Sequence, residues 1–537
     1  MSSMRRVFSI GCTSLLTTLA TPVISAVPSG NGWQQLETEN FIVFSNLNEA
    51  ATKEIGLDLE RLQAVLEEIF PRAEFDSPLD TLLFVFKDRE SFEPYALPGG
   101  QSGYFAPHKH ANFAAVVGSN PDDTLPVIYR QYLHDVINYN VPQVPLWFKH
   151  GLAEIFSTFQ ADGSVARVAL PIGGGDEANL GLLGGERMSV TEVLATESLP
   201  TDPSRMNAFV QGSWALMHYL LVDDEERFEA TRRFVGELDE DPTSDISITE
   251  VLGVDVVALQ AAVEAYLETT PLPHREMPVP GGVPTDVELT SLAPEFALFH
   301  LGDLLIHANP DRQADAQAHF EAALQLSPDF APAVAGLGLV SEAAGDLSTA
   351  ERYYLQALKE YPEAFRLQVF IGEVELGLLG KRRPQTPEEQ TRLDQAIAAF
   401  KKSVELRPTY GEGWALLGYS YNLEARPSPD AVATLERAYE MLPGRGDVAY
   451  NLLLGYARAG KRQEAIDLMA TAEARGVSEE RLAPARQTLL QLDFQYAVAL
   501  AREKKYDEAA VLLQKVIAEA SDAGMREQAE NLLSQIK

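Results

Sequence analysis

The side chains best suited to chemistry in this sequence are a few histidines and carboxylates. His134 and His150 fall in two successive stretches, LPVIYRQYLHDVINY (125–139) and PLWFKHGLAEIF (145–156), and Glu154 follows His150 by four residues. Neutral imidazoles and carboxylates are competent zinc ligands. His134, His150 and Glu154 are therefore candidate metal ligands, together with His108 or His110 of the Pro-His-Lys-His segment. The competing reading leaves His134 and His150 as polar residues of a pocket without metal and puts His108 and His110 in an exposed turn. His218, beside Trp214 and Leu220, reads as packed. Gly173-Gly174-Gly175-Asp176 lacks the strand-loop-helix context of a phosphate loop.

These residues need elements to position them. The run Phe41-Ile42-Val43-Phe44-Ser45 reads as a strand, 49–70 as an amphipathic helix ended by Pro71, and 81–87 as a second strand. Segments 103–107 and 112–117 read as paired strands leading into the helix at 125–139, and 145–156 as the next helix. The part from 27 to 272 is thus expected to be an α+β domain.

The two helices carry a recognisable arrangement. With the later segment Gln211-Gly212-Ser213-Trp214-Ala215-Leu216-Met217-His218, they resemble the peptidase-MA-like domains of the gluzincin metallopeptidases over about 33–268. That resemblance implies a helix bearing His-Glu-x-x-His, whose i and i+4 imidazoles share one face, and a glutamate that activates the metal-bound water. It also implies a third ligand on the following helix. Here Arg130 stands for the first histidine, Gln131 for the glutamate and His134 for the second histidine, while His150 occupies the third-ligand position. A guanidinium repels zinc and an amide accepts no proton near neutral pH. The hydroxyl that such domains often offer near Phe209 and Val210 is missing too. In the family's geometry Glu154 would orient the first ligand, so we expect Arg130 to pair with Glu154 in place of the lost imidazole. No catalytic set is intact on this reading. Zinc held by His134, His150 and Glu154 in an altered geometry is the alternative.

The proline-rich stretch PLPHREMPVPGGVP (271–284) prevents continuous helix and reads as a linker over 273–290. Beyond it the pattern is helical with a repeat of about 34 residues. Leu337, Gly338, Ala350, Tyr354, Ala357 and Pro362 mark one copy, and Ala316, Phe320, Ala323 and Pro328 an earlier one. Ile371, Gly372, Ala396, Phe400 and Pro408 mark a copy with an insertion at 380–391. Trp414, Leu417, Gly418, Tyr421, Ala431, Ala438 and Pro443 form the next, Leu452, Tyr456, Gly460, Ala465 and Ala472 a fifth, and Ala497, Ala509 and Leu513 an atypical sixth. This half (291–537) resembles the tetratricopeptide-repeat family, which implies an all-α solenoid with a groove for a protein or peptide.

Charge and the N-terminus complete the reading. Forty-three basic against 78 acidic side chains disfavour nucleic acid and anionic membranes as partners, because both need a basic face. Arg5 and Arg6, an apolar run at 7–24 and Ser25-Ala26 read as a signal peptide over 1–26 rather than a spanning helix. The only cysteine, Cys12, lies within it, so the mature chain has no disulfide and no thiolate ligand, which suits a bacterial periplasm. The expectation is an exported interaction protein: an α+β gluzincin-like domain without a working centre, a tetratricopeptide array binding a protein or peptide, and no cofactor. The alternative is a divergent zinc peptidase whose repeats recruit substrate.

Overall fold

Strand β3 (Thr81–Phe86) reads Thr-Leu-Leu-Phe-Val-Phe and is buried throughout. A strand apolar on both faces must be covered on both. In the computed structural model β3 lies inside a six-stranded mixed sheet, ordered β4 (Gly103–Pro107), β5 (Asn112–Val117), β3, β2 (Phe41–Ser45), β1 (Gln34–Glu37) and β9 (Leu289–Ser291). It runs parallel to β2 and β5, and the outer pairings are antiparallel. The structure describes residues 27–536 apart from 73, 74, 76, 171–186, 223, 270, 285, 427 and 476. The expected signal segment and the Gly173-Gly174-Gly175-Asp176 loop fall outside the described residues.

The helices of the first half, in chain order, are α1 (Glu49–Ile69), α2 (Arg89–Phe92), α3 (Pro121–Asn140), α4 (Leu146–Phe156), α5 (Val190–Leu194), α6 (Pro203–Leu221), α7 (Glu225–Glu240), α8 (Ile248–Leu252) and α9 (Val256–Leu267). Leu83 and Val85 turn to one face of the sheet and join Leu62 and Leu66 of α1, Tyr132 and Val136 of α3, Leu152 of α4 and Leu216 of α6 in one core. Helix α3 begins a turn before the expected 125. Pro121 fits its first position, and the Thr124 hydroxyl donates to the Val117 and Asn120 carbonyls at 2.9 and 3.1 Å, which anchors that turn.

Residues 273–290, expected as a linker, instead add strands to both sheets. Strand β8 (Arg275–Pro278) pairs with β7 (Val165–Val168) in a three-stranded sheet completed by β6 (Gln160–Asp162), and β9 pairs with β1. Both added strands are edges, where proline's missing N–H costs no ladder bond.

The second half is built of helical hairpins. They are α10 (Pro294–Ala308) with α11 (Gln313–Leu326), α12 (Ala331–Ala343) with α13 (Leu347–Glu360), α14 (Phe365–Leu379) with α15 (Pro387–Leu406), and α16 (Gly411–Leu423) with α17 (Ala431–Met441). Next come α18 (Gly446–Ala459) with α19 (Arg462–Ala474), α20 (Glu479–Arg502) with α21 (Tyr506–Glu519), and α22 (Ala523–Ile536). One device recurs. A Cβ on Gly302, Gly338 or Gly372 would lie within 2.7, 2.4 and 2.5 Å of the rings of Phe320, Tyr354 and Phe400, so each glycine admits the aromatic ring of its partner helix. The insertion expected at 380–391 is shorter than read, because Gly380 closes α14 in the left-handed conformation and Thr386 caps α15, which takes up 387–391.

The first hairpin supplies the sheet's missing cover. Leu82, Phe84 and Phe86, with Phe44 and Phe113, pack under Leu298, Leu301 and Leu305 of α10 and Phe320 of α11 in a single core. First helices of successive hairpins pack on one another at α10 with α12, α16 with α18 and α18 with α20, which puts the first helices on the inner side at those steps. The α+β part lies against that inner side. Asp80 accepts from Arg366 at 2.9 Å and from Arg407 at 2.5 and 2.9 Å, and Lys109 and His110 meet Glu373 at 2.5 and 2.9 Å. Burial works against the Asp80 charge, yet the two guanidiniums outweigh it and hold the carboxyl below the usual aspartate range. Over the first four hairpins, the face expected to take a partner is thus occupied by the chain's own first half.

The far end of this contact is a close backbone approach. Gly444 N–H donates to the Tyr139 carbonyl at 2.9 Å, and a Cβ there would sit 2.0 Å from the Asn138 carbonyl oxygen. Gly444→Ala must therefore push α3 away from the loop between α17 and α18. We expect it to lower stability by about 1–3 kcal/mol, as overpacking does, measured as an earlier urea midpoint.

Candidate functional site

The residues singled out on α3 and α4 are positioned by apolar stripes on the same two helices. Ile128, Tyr132, Val136 and Ile137 bury one side of α3, which turns Arg130, His134 and Asn138, spaced four apart, toward α4. On α4, Trp147, Phe148, Leu152 and Ile155 are buried, while Gly151 touches α6 so closely that a Cβ would stand 2.5 Å from the Ser213 carbonyl oxygen. That contact seats α4 and leaves His150 and Glu154 facing α3.

Three side-chain rungs join the helices. Arg130 Nη2 donates to Glu154 Oε2 at 3.0 Å, and Nε approaches Oε1 within 2.6 Å without the alignment of a hydrogen bond. The rings of His134 and His150 meet edge to face, with centroids 4.6 Å apart. Lys149 Nζ donates to Asn138 Oδ1 at 3.2 Å. The structure thus brings Arg130, Glu154, His134 and His150 together, and it leaves Gln131 exposed on the outer side of α3.

The electrostatics suit neutral imidazoles. Burial pushes His134 down to about 4, helped by His150, Arg130 and Lys149, and burial with Lys149 pushes His150 down to about 4. Burial also brings Lys149 down to about 8. Glu154, the one carboxylate in the cluster, is engaged by Arg130. Zinc at this place would have two imidazoles, no free carboxylate and a guanidinium beside it, so the donor set does not fit the metal. Among the described residues, no three His, Cys, Asp or Glu are gathered in a way that could hold a metal ion.

The other candidates lie elsewhere. His108 and His110, expected in an exposed turn, are drawn into the seam between the two halves. His110 is buried between the Tyr410 hydroxyl at 3.0 Å and Glu373, and His108 packs edge-on to His307 with centroids 4.5 Å apart. Burial lowers His108 to about 3, and it lowers His110 despite the raising effect of Glu373. Glu373, which burial alone would raise, is held down at about 2 by His110 and Lys109. His218 is buried against the Tyr266 hydroxyl at 2.8 Å, and Phe209 packs edge-on to His150 with centroids 5.6 Å apart. Asp135 escaped the sequence reading. It is buried next to the Asn112 amide at 2.7 Å, and burial raises it to about 6 although that hydrogen bond pulls it down.

No protein-family profile matches the chain, and no curated protein matches it. Among solved structures it is similar to a thermophilic tetratricopeptide-repeat protein of Thermus thermophilus, with 21% identity, 36% of this chain and 99% of that one covered, and a TM-score of 0.29. It is also similar to YrrB, a tetratricopeptide-repeat protein with an unusual peptide-binding site (21% identity, 36% and 92% covered, TM-score 0.30). The Pseudomonas aeruginosa protein PilF shares 17% identity over 44% and 96% of the two chains, with a TM-score of 0.31. Likeness at this level carries no functional information. The repeat architecture rests on the hairpins and their glycine–aromatic contacts.

Two measurements probe the rungs. Arg130→Ala leaves Glu154 buried and unpaired. We expect a loss of about 2 kcal/mol, less than the 3–5 typical of a fully buried pair because the arginine side chain is 28% exposed. The Arg130→Leu, Glu154→Leu double variant should lose less than Arg130→Ala in the same denaturant titration. For the histidines, folded values near 4 lie below the ordinary 6.5. Above pH 6.5 both states are neutral and there is no cost. As pH falls from 6.5 to 4 the unfolded chain gains protons that the folded one refuses, so stability drops. A His134→Gln, His150→Gln variant should show a flatter melting-temperature profile across that window.

Proposed function

We propose that this chain is an exported, non-catalytic interaction protein, in which a metallopeptidase-like domain has become a structural partner of its own repeat array. The observation that carries the reading is the Arg130–Glu154 pair beside His134 and His150. A guanidinium takes the position where the resemblance calls for a ligand, and it occupies the carboxylate that would steady that ligand. Gln131, at the position of the general base, is an exposed amide with no basic group to offer. The gluzincin identity, the signal peptide over 1–26 and a periplasmic setting belong to this proposal and are supported by the residues quoted for them.

Binding is then the function, and repeat surfaces supply it. Helical repeats bind through extended faces rather than through reacting groups. The first four hairpins hold the α+β part, which leaves the hairpins from α18 onward and the outer faces of the array for a protein or peptide. No helix among the described residues is long and apolar enough to cross a membrane.

Elemental mass spectrometry on untagged protein dialysed against trace zinc tests the reading, together with a peptide-cleavage screen. We expect no retained zinc and no turnover. Near-stoichiometric zinc that disappears in a His134→Ala, His150→Ala variant, accompanied by cleavage, would replace this reading with the divergent zinc peptidase.

A further inference from the structure

Between the two halves lies a cavity of about 210 Å³ that the site on α3 and α4 does not use. Its walls come from both halves: Phe113 from β5, Phe299 and Asp303 from α10, Ala335 from α12, and Leu367 and Phe370 from α14. Small side chains on α12 open the space, and the rings of Phe113, Phe299, Tyr361 and Phe370 border it. For scale, a dry cavity of about 150 Å³ lined by aliphatic and aromatic side chains is enough to hold benzene. This one has room for a fused two-ring aromatic.

The wall is mostly apolar; His110, His307 and Arg366 border it, and Asp303 supplies its one carboxylate. That residue is 6% exposed, and its carboxylate Oδ1 lies 3.0 Å from His307 Nδ1. No hydrogen bond among the described residues engages the other oxygen, Oδ2. Burial disfavours the Asp303 charge, yet His307 and then Arg366 hold the carboxyl below the usual range, so it stays an acceptor. The Arg366 guanidinium is directed to Asp80 rather than to this oxygen. His307 stacks on Phe113 at 4.7 Å, nearly parallel, which fixes the face it presents. A carboxylate oxygen that faces a mostly apolar cavity and has no protein donor offers a ligand one place for an N–H or O–H, which fixes its orientation.

We propose that this seam cavity is a binding site for an indole-sized aromatic group bearing a single hydrogen-bond donor, which packs among Phe113, Phe299 and Phe370 and donates to Asp303. Because both halves line the site, the ligand binds only the docked arrangement and stabilises it. The same chemistry is offered by a free small aromatic molecule and by a tryptophan side chain.

Isothermal calorimetry on the full-length mature chain, with indole and its N–H-free isostere benzothiophene as probes, tests this. We expect indole to bind at least tenfold more tightly than benzothiophene, and Asp303→Asn to bring that ratio near one. Ala335→Phe fills the cavity and should abolish binding of both. Hydrogen exchange on the unaltered protein guards against a variant that fails to fold: indole should slow exchange in α10 and α14 and leave α20 to α22 unchanged. A parallel titration with acetyl-Gly-Trp-Gly-amide separates the sources. Binding matching that of indole points to a partner's side chain, and binding of indole alone points to a free small molecule. Absence of indole binding at millimolar concentration, equal binding of the isostere, or binding that survives in folded Ala335→Phe would overturn the proposal.

Discussion

The structure depends on a sheet whose two faces are both apolar. In β3 the alternation Leu82, Phe84, Phe86 against Leu83, Val85 divides large side chains between opposite sides. Apart from the short α2, whose Phe92 packs against Phe86, the helices of the first half cover only one side. An uncovered second side would expose a patch of phenylalanines that water disfavours by roughly 25 cal/mol for each Å². The first repeat hairpin meets that demand, and the position of the rest of the array follows from it. Once α10 is seated on the sheet, the later first helices are carried past β5 and the start of β3. There Asp80, Lys109 and His110 find Arg366, Arg407, Glu373 and Tyr410.

The charged contacts of that seam differ in kind from the cluster on α3 and α4. At the seam, Asp80 and Glu373 each have partners supplied by the other half, so these polar groups fix the register between two apolar surfaces. Within the α3 and α4 cluster, the partners come from neighbouring helices of the same half, with the Arg130 guanidinium on the Glu154 carboxylate and the Lys149 ammonium on the Asn138 amide. Such a cluster favours neutral imidazoles. The two are nonetheless connected through α3, whose last turn accepts the Gly444 hydrogen bond while its middle carries Arg130 and His134.

Local elements were legible in the sequence because they rest on local physics. The apolar strand run at 41–45, the helix stop at Pro71 and the small-residue spacings of Gly338 with Tyr354 each reflect local chain preference or packing within one hairpin. The pairing of Arg130 with Glu154 was also within reach, but only through the gluzincin resemblance, which implies that Glu154 lies beside the position Arg130 fills. The seam was not legible. His110 and Tyr410 are separated by 300 residues, and Asp80 and Arg407 by 327. No local pattern distinguishes a charge that will be paired at such a distance from one that will be solvated. The proline-rich stretch misled for a related reason: proline excludes helix and central strand but leaves edge strands open, and edge pairing is again settled by distant chain.

The pairing of β9 with β1 bears on the order in which the molecule can be completed. Strand β1 ends at Glu37, yet its outer neighbour comes from 289–291 and the cover of the sheet's second face from α10 and α11 immediately after. A chain emerging from the ribosome presents the α+β elements first, and they cannot close until more than half of the polypeptide is available. Non-local closure of this sort is slow to reach. Until the first hairpin arrives, the phenylalanine face stays uncovered, which makes the nascent chain a client for any holding factor that recognises apolar strands.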